Sequence, residues 1–234
     1  MEFVPHGERS IDRRLLLANR VLSAVAVLLL VQIVVLPPAI ELGLNRHIGS
    51  AFFVLVMLLA AGIVFRRVRG GKLFIAVSLA AIVVKLANVW MADQHLRGID
   101  ATLEIFAFGI LAALTLRVVF AAGPVTVHRL AGALGAYLMV ALIFAQLYRL
   151  AAIALPAAFL WQGSPVDYNA IVSKLTYFSM VTLTSLGYGD IVPNTATTRS
   201  LVMLEALFGV LYPAILITRL VAPDRSAGGV PPHE

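Results

Sequence analysis

The sequence predicts an all-α membrane protein with six transmembrane helices and a short re-entrant helix between the fifth and the sixth. Three observations predict it. Of 234 residues, 61% are hydrophobic and only 13% are charged, too few charges to cover the surface of a water-soluble domain. The charges are clustered, and the apolar runs between them reach the length of about 20 residues that a helix needs to cross a hydrocarbon core about 30 Å thick. The stretch from Ala151 to Thr198 breaks this rhythm, being too polar for a span and too apolar for an ordinary loop.

The first span is expected from about Leu15 to Leu36, ending at Pro37-Pro38. It is longer than a signal-peptide core and reads as a retained span. The second runs from Ile48 to Phe65, before the basic stretch Arg66-Arg67-Val68-Arg69-Gly70-Gly71-Lys72. The third runs from Leu73 to Ala92 and the fourth from Ala101 to Phe120, before Gly123-Pro124. The fifth covers Leu130 to about Leu150, and the sixth covers Arg199 to Val221, before Pro223. Inside the intervening segment, a turret-like stretch holds Pro156, Gly163 and Pro165. A short helical pattern follows from about Ala170 to Leu183, with Asp167 or Asn169 placed to cap it. The expected divisions are an N-terminal segment at 1–14, a four-helix bundle at 15–122, a second unit at 123–222, and a Gly/Pro-rich disordered tail at 223–234.

The distribution of basic residues sets the expected orientation. Arg46, Arg97, Arg149, Lys174 and Arg199 fall on one side, Lys85 falls inside a span, and the other Lys and Arg residues fall on the side of the two termini. The positive-inside rule then places both termini in the cytoplasm, with the Ala151–Thr198 segment entering from outside. The Ala/Leu/Arg-rich composition points to a bacterial inner membrane. The net charge of +6 does not imply nucleic acid, because the charges flank spans and form no basic stripe with interleaved aromatics. The chain has no cysteine, which excludes disulfides and thiolate metal sites. His6, His47, His95, His128 and His233 are scattered without metal-ligand spacing. No nucleophile elbow, phosphate loop or carboxylate pair is present. No cofactor and no enzymatic activity are expected.

The most informative run is Thr182-Leu183-Thr184-Ser185-Leu186-Gly187-Tyr188-Gly189-Asp190. An ordinary strand alternates its carbonyls. Alternating right- and left-handed residues turn them to one side, and glycine reaches the left-handed region without a Cβ penalty. Gly187 and Gly189 stand two apart, as that alternation requires. Four such loops around an axis make stacked oxygen cages that replace the water shell of a dehydrated potassium ion. Irregular backbone at membrane depth is tolerated where it lines such a path.

These residues, in a segment of about Leu130 to Val221, resemble the potassium-channel pore family, bacterial members in particular, whose signature is Thr-Val-Gly-Tyr-Gly. The resemblance implies a subunit of a potassium-selective channel with six spans and one pore loop. One loop supplies a quarter of a filter, so the implied partners are three further copies of the chain, potassium ions and membrane lipids. Carbonyls of Ser185, Leu186, Gly187 and Tyr188 would bind potassium, with Thr184 at the cavity mouth and Gly189 closing the filter. Ser185 stands where the signature has Thr; it keeps the hydroxyl and lacks the methyl. Leu186 stands where the signature has Val. Asp190 would sit just outside the filter and accept a hydrogen bond from Tyr177 of the pore helix. Some bacterial members carry a glutamate at the position of Val181, which pairs with that aspartate. Gly209 falls where the family has its hinge glycine. Pro213, lacking an N–H, leaves the Gly209 carbonyl without its helical donor, so a bend and gate are expected near these two.

Other residues leave alternatives open. The fourth span carries only Arg117 where a voltage sensor would have a basic residue at every third position. A structural bundle is the plainer reading. Lys85 lies deep in a span, with Glu104 and Asp93 as candidate partners. Glu205 either faces the cavity and concentrates cations or packs behind the pore helix. A membrane enzyme or carrier would need catalytic groups within the spans or duplicated halves, and an accessory, non-conducting subunit would keep the same fold.

Overall fold

A computed structural model describes residues 22–42, 48–64, 71–91, 94–121, 126–166 and 171–221. Asp93, Asp167, Asn169, the basic stretch from Arg66 to Gly70, Gly123-Pro124, and the segments 1–14 and 223–234 lie outside them. Five described helices are long and apolar enough to cross a membrane. In chain order the helices are α1 (residues 22–41), α2 (Ile48–Val64), α3 (Gly71–Met91), α4 (Gln94–Val119), α5 (Val127–Ala154), α6 (Ile171–Leu183) and α7 (Ala196–Val221). The described part of α2 has 17 residues, at the lower limit for a span.

The first span does not stop at its proline pair. The helix continues through Pro37 and Pro38 to Glu41. Just before them, Val31–Val35 forms a π-helical turn, and the Leu36 N–H donates to the Val31 carbonyl. The two prolines have no N–H to give the preceding turn, and the widened turn absorbs that mismatch without ending the helix. The fourth span also begins earlier than expected, at Gln94, so that Asp100 belongs to a helix and not to a loop. Helix α5 starts at an N-cap, with the Thr126 hydroxyl accepting the Arg129 N–H at 3.3 Å. It ends where Leu155 turns extended, at φ −122° and ψ 124°, ahead of Pro156.

Helix α5 is the spine of the molecule. On one side its Leu138, Met139 and Leu142 join a core with Leu29 of α1, Phe53 and Met57 of α2, Phe74 of α3 and Phe108 of α4. On the other side Phe144, Tyr148 and Ala151 pack with Leu175 and Phe178 of α6 and with two short strands. Those strands belong to a three-stranded antiparallel sheet that no pattern in the sequence announces. It comprises β1 (Phe159–Trp161), β2 (Ser164–Pro165) and β3 (Ile191–Pro193), in the order β2-β1-β3. Leu160 pairs with Pro165 on one side and with Val192 on the other. Gln162 and Gly163, both at positive φ, make the two-residue hairpin turn between β1 and β2. The sheet thus ties the turret-like stretch to the chain just after the Gly-Tyr-Gly run. Helix α7 is the least buried of the long helices, with Met203, Leu204, Leu207, Phe208, Val210 and Leu211 exposed on the single chain.

Candidate functional site

The loop of interest begins where α6 ends. The Ser185 N–H donates to the Thr182 carbonyl at 2.9 Å, and the Leu186 N–H donates to the Val181 carbonyl at 2.9 Å. This pair of bonds, with a left-handed residue between the helix and its continuation, is a Schellman C-cap. Glycine usually fills that position. Here Ser185 does, at φ 58°, accepting the roughly 1–2 kcal/mol that a Cβ costs there. Gly187 follows at φ 57° and Gly189 at φ 75°, while Leu186 and Tyr188 between them are not at positive φ. The alternation therefore has three left-handed members, at 185, 187 and 189. Sequence points to the two glycines and not to Ser185, because the serine belongs to the helix cap as much as to the loop. Thr184 to Gly189 are all exposed on the single chain. The Thr184 hydroxyl donates back to the Met180 carbonyl at 2.7 Å.

Asp190 fixes the far end of the loop. The Tyr177 hydroxyl donates to its Oδ2 at 2.8 Å, so the expected hydrogen bond is present. Its Oδ1 accepts the Ile191 N–H at 3.0 Å. Its backbone carbonyl accepts the Gln162 N–H, from the β1–β2 turn, at 3.1 Å. Tyr177 packs edge-on to Trp161, and the Lys174 ammonium lies 4.5 Å from the Trp161 ring centroid.

Behind the loop, α6 is held by α5 and α7. The Tyr137 hydroxyl donates to the Leu183 carbonyl at 2.9 Å. The Ser179 hydroxyl lies 2.7 Å from the Ala141 carbonyl. Glu205 is fully buried, with one carboxyl oxygen against the Ser179 hydroxyl and the other against the Tyr148 hydroxyl. Of the two placements open from sequence, the structure selects the one packed behind α6. Tyr148 also sits in a ring cluster with Phe159 and Phe178, at centroid distances of 5.2 Å and 5.3 Å.

Helix α7 runs unbroken through Gly209 and Pro213. Its Tyr212 hydroxyl donates to the Ala133 carbonyl at 2.7 Å, and the Tyr137 and Tyr212 rings lie 5.5 Å apart. What the structure adds at Gly209 is close packing, since a Cβ there would lie 2.0 Å from the Leu183 carbonyl oxygen.

Lys85 of α3 pairs with Glu104 and, at 3.4 Å, with Asp100, both on α4. Arg149 of α5 reaches the other oxygen of Asp100 at 3.1 Å and Gln146 at 3.3 Å. Arg149, expected among the charges outside the membrane, is instead buried within the bundle. Asp100 lies one residue before the expected start of the fourth span, which hides it from the sequence reading as a buried acid. Its spacing of four from Glu104, which puts both carboxylates on one helical face, was the signal available.

Residues 136–222 match a family model described as an ion channel. The two-pore potassium channel 4 of Arabidopsis thaliana is 35% identical over 85 residues, which are 36% of this chain and 30% of the plant protein. The chain thus spans less than a third of that relative's length. No solved structure matches at a comparable level of significance.

Proposed function

We propose, from the match of residues 136–222 to an ion-channel family model, that this chain is one subunit of a homotetrameric channel conducting potassium passively. The observation that carries the reading is the left-handed alternation at Ser185, Gly187 and Gly189. It is the backbone condition for consecutive carbonyls to face one axis, where they replace a cation's water shell. Carbonyls of Ser185, Leu186, Gly187 and Tyr188 form the potassium sites, and Thr184 stands at the cavity mouth. Tyr177 and Asp190 brace the filter from behind. The exposed apolar length of α7 meets three further copies and lines the path below the filter. Gly209 and Pro213 mark the turn where that path opens and closes.

In this reading residues 15–122 surround the pore domain, 123–222. The segments 1–14 and 223–234 face the cytoplasm, and the membrane is a bacterial inner membrane. Helix α6 ends at the filter, so its C-terminal dipole favours a cation in the cavity. No cofactor takes part beyond the permeant ion. Rubidium uptake into liposomes holding the purified protein tests the reading. Uptake driven by a potassium gradient, blocked by barium and not matched by sodium, is expected. Gly187→Ala places a Cβ on a left-handed residue in every subunit and should abolish flux or its selectivity. Full potassium selectivity in that variant overturns the carbonyl-cage account.

A further inference from the structure

Among the described residues, no cation lies against the carboxyl group of Glu205. Its two oxygens face two hydroxyls, Tyr148 of α5 and Ser179 of α6. Tyr137 of α5 also lies within electrostatic reach of it. On α6 the nearest ionisable residues, Lys174 and Tyr177, are engaged with Trp161 and Asp190. On α7 itself, Arg199 and Arg219 lie more than a turn away, the first bonded to the Pro193 carbonyl and the second over the Phe120 ring.

Counting hydrogens decides the state of this group. A serine hydroxyl has one hydrogen to give. Ser179 Oγ has two oxygen neighbours, the Ala141 carbonyl at 2.7 Å and a Glu205 carboxyl oxygen. If Glu205 were ionised, both neighbours would be pure acceptors, and one close oxygen–oxygen contact would have no hydrogen in it. A fully buried carboxylate also carries a desolvation penalty that the Ser179 and Tyr148 hydroxyls offset only in part. If Glu205 is protonated, every contact has its hydrogen. The acid donates to Ser179, Ser179 donates to the Ala141 carbonyl, and Tyr148 donates to the second carboxyl oxygen.

We propose that Glu205 is a neutral carboxylic acid whose proton completes a relay through Ser179 to the Ala141 carbonyl, making it a positioning residue that holds α6, and so the filter, against α5. The proposal rests on the reading of α6 as the pore helix. Removing the proton breaks the relay at Ser179 and leaves a charge buried behind the filter. Conduction therefore falls as pH rises, while lowering the pH leaves this relay intact. The group that titrates is not on the conduction path, so the loss is reversible and independent of the permeant ion.

The test is infrared spectroscopy of the purified protein at neutral pH, with flux measured alongside. The difference spectrum between the parent and Glu205→Gln should contain the carbonyl stretch of a protonated carboxylic acid. Glu205→Gln, whose amide donates to Ser179 and accepts from Tyr148, should keep flux and lose its decline at alkaline pH. Tyr148→Phe should shift the acid band to higher frequency, because it removes the donor to the carbonyl oxygen. That second variant keeps the question decidable if Glu205→Gln does not fold. Absence of the acid band from the parent overturns the proposal, as does a Glu205→Gln channel with the parent's alkaline decline. If the protein conducts no potassium, the band and its shift still decide the protonation state, and only the channel reading fails.

Discussion

The α-carbon of Gly209 on α7 faces the carbonyl oxygen of Leu183 so closely that a Cβ would stand 2.0 Å from it and 2.9 Å from the carbonyl carbon. Both obstacles are backbone, at the very turn where α6 gives way to the loop at residues 184–189, and neither is a flexible side chain that can swing aside. Gly209 is therefore required by packing, whatever bending α7 undergoes. Gly209→Ala should destabilise the protein by about 1–3 kcal/mol per subunit through forced separation of the two elements. Pro213→Ala meets no comparable obstacle and restores a helical donor for the Gly209 carbonyl, so it should be neutral or stabilising. Thermal unfolding in detergent checks both. Equal, small effects would mean that the two helices separate freely and that the close approach is not a constraint.

Ser185 serves two structures at once, the cap of α6 and the first left-handed step of the loop. Ser185→Gly should relieve about 1 kcal/mol of backbone cost and raise thermal stability. Ser185→Ala should leave stability unchanged, because it keeps a Cβ at the same φ. Both remove the hydroxyl, so in the proposed channel both should preserve potassium selectivity while altering barium block at the innermost ion site. A variant pair with unchanged block would remove the hydroxyl from the account of that site.

Asp190 uses both carboxylate oxygens, one on Tyr177 and one on the Ile191 N–H. Tyr177→Phe removes a charge-assisted bond worth about 1.5–3 kcal/mol while leaving the second in place. In the proposed tetrameric channel the filter should then inactivate faster, and the subunits should dissociate at lower temperature in detergent. Single-channel open times and gel mobility after heating measure the two effects. Unchanged values in both would show that the sheet alone, through the Gln162 bond to the Asp190 carbonyl, fixes this end of the loop.

The ion pair of Lys85 and Glu104 predicts strong coupling between α3 and α4. Lys85→Met leaves Glu104 buried opposite an apolar chain and should cost about 3–5 kcal/mol. Adding Glu104→Leu should recover most of that loss. A double-mutant cycle on unfolding midpoints reads the coupling, and additive losses would mean that the pair is not formed in the membrane.

The parts of the fold that were legible in sequence depend on local pattern. Apolar runs of membrane length, a short helix before Gly-Tyr-Gly, and a tyrosine set thirteen residues before an aspartate can all be read along the chain. What escaped depends on contacts between distant segments or on backbone shape. Strands of two or three residues are too short to show a period of two, so the sheet left no trace. Arg149 and Asp100 lie in different spans, and each alone resembles a charge at a span's end. A proline pair reads as a stop unless a widened turn precedes it, and no residue pattern announced that turn at Val31–Val35. Gly209 was legible as a special glycine, but a hinge and a close approach look the same in sequence. Only the position of the Leu183 carbonyl shows the approach.

The buried charges also bear on how the chain can enter the membrane during synthesis. A lysine near the middle of an isolated helix costs about 2.5–3.5 kcal/mol on insertion scales, which makes α3 a poor passenger by itself. The acids that neutralise Lys85 both belong to the next helix, so α3 and α4 leave the translocon most favourably together, as a charge-balanced hairpin. Asp100 then offers its second oxygen to Arg149 when α5 arrives. Synthesis order and electrostatic order thus coincide, and the first four helices serve as the receiving template for the fifth. A fragment beginning at α5 would carry Arg149 into lipid without Asp100, so the segment from α5 onward should assemble poorly when produced without the helices that precede it.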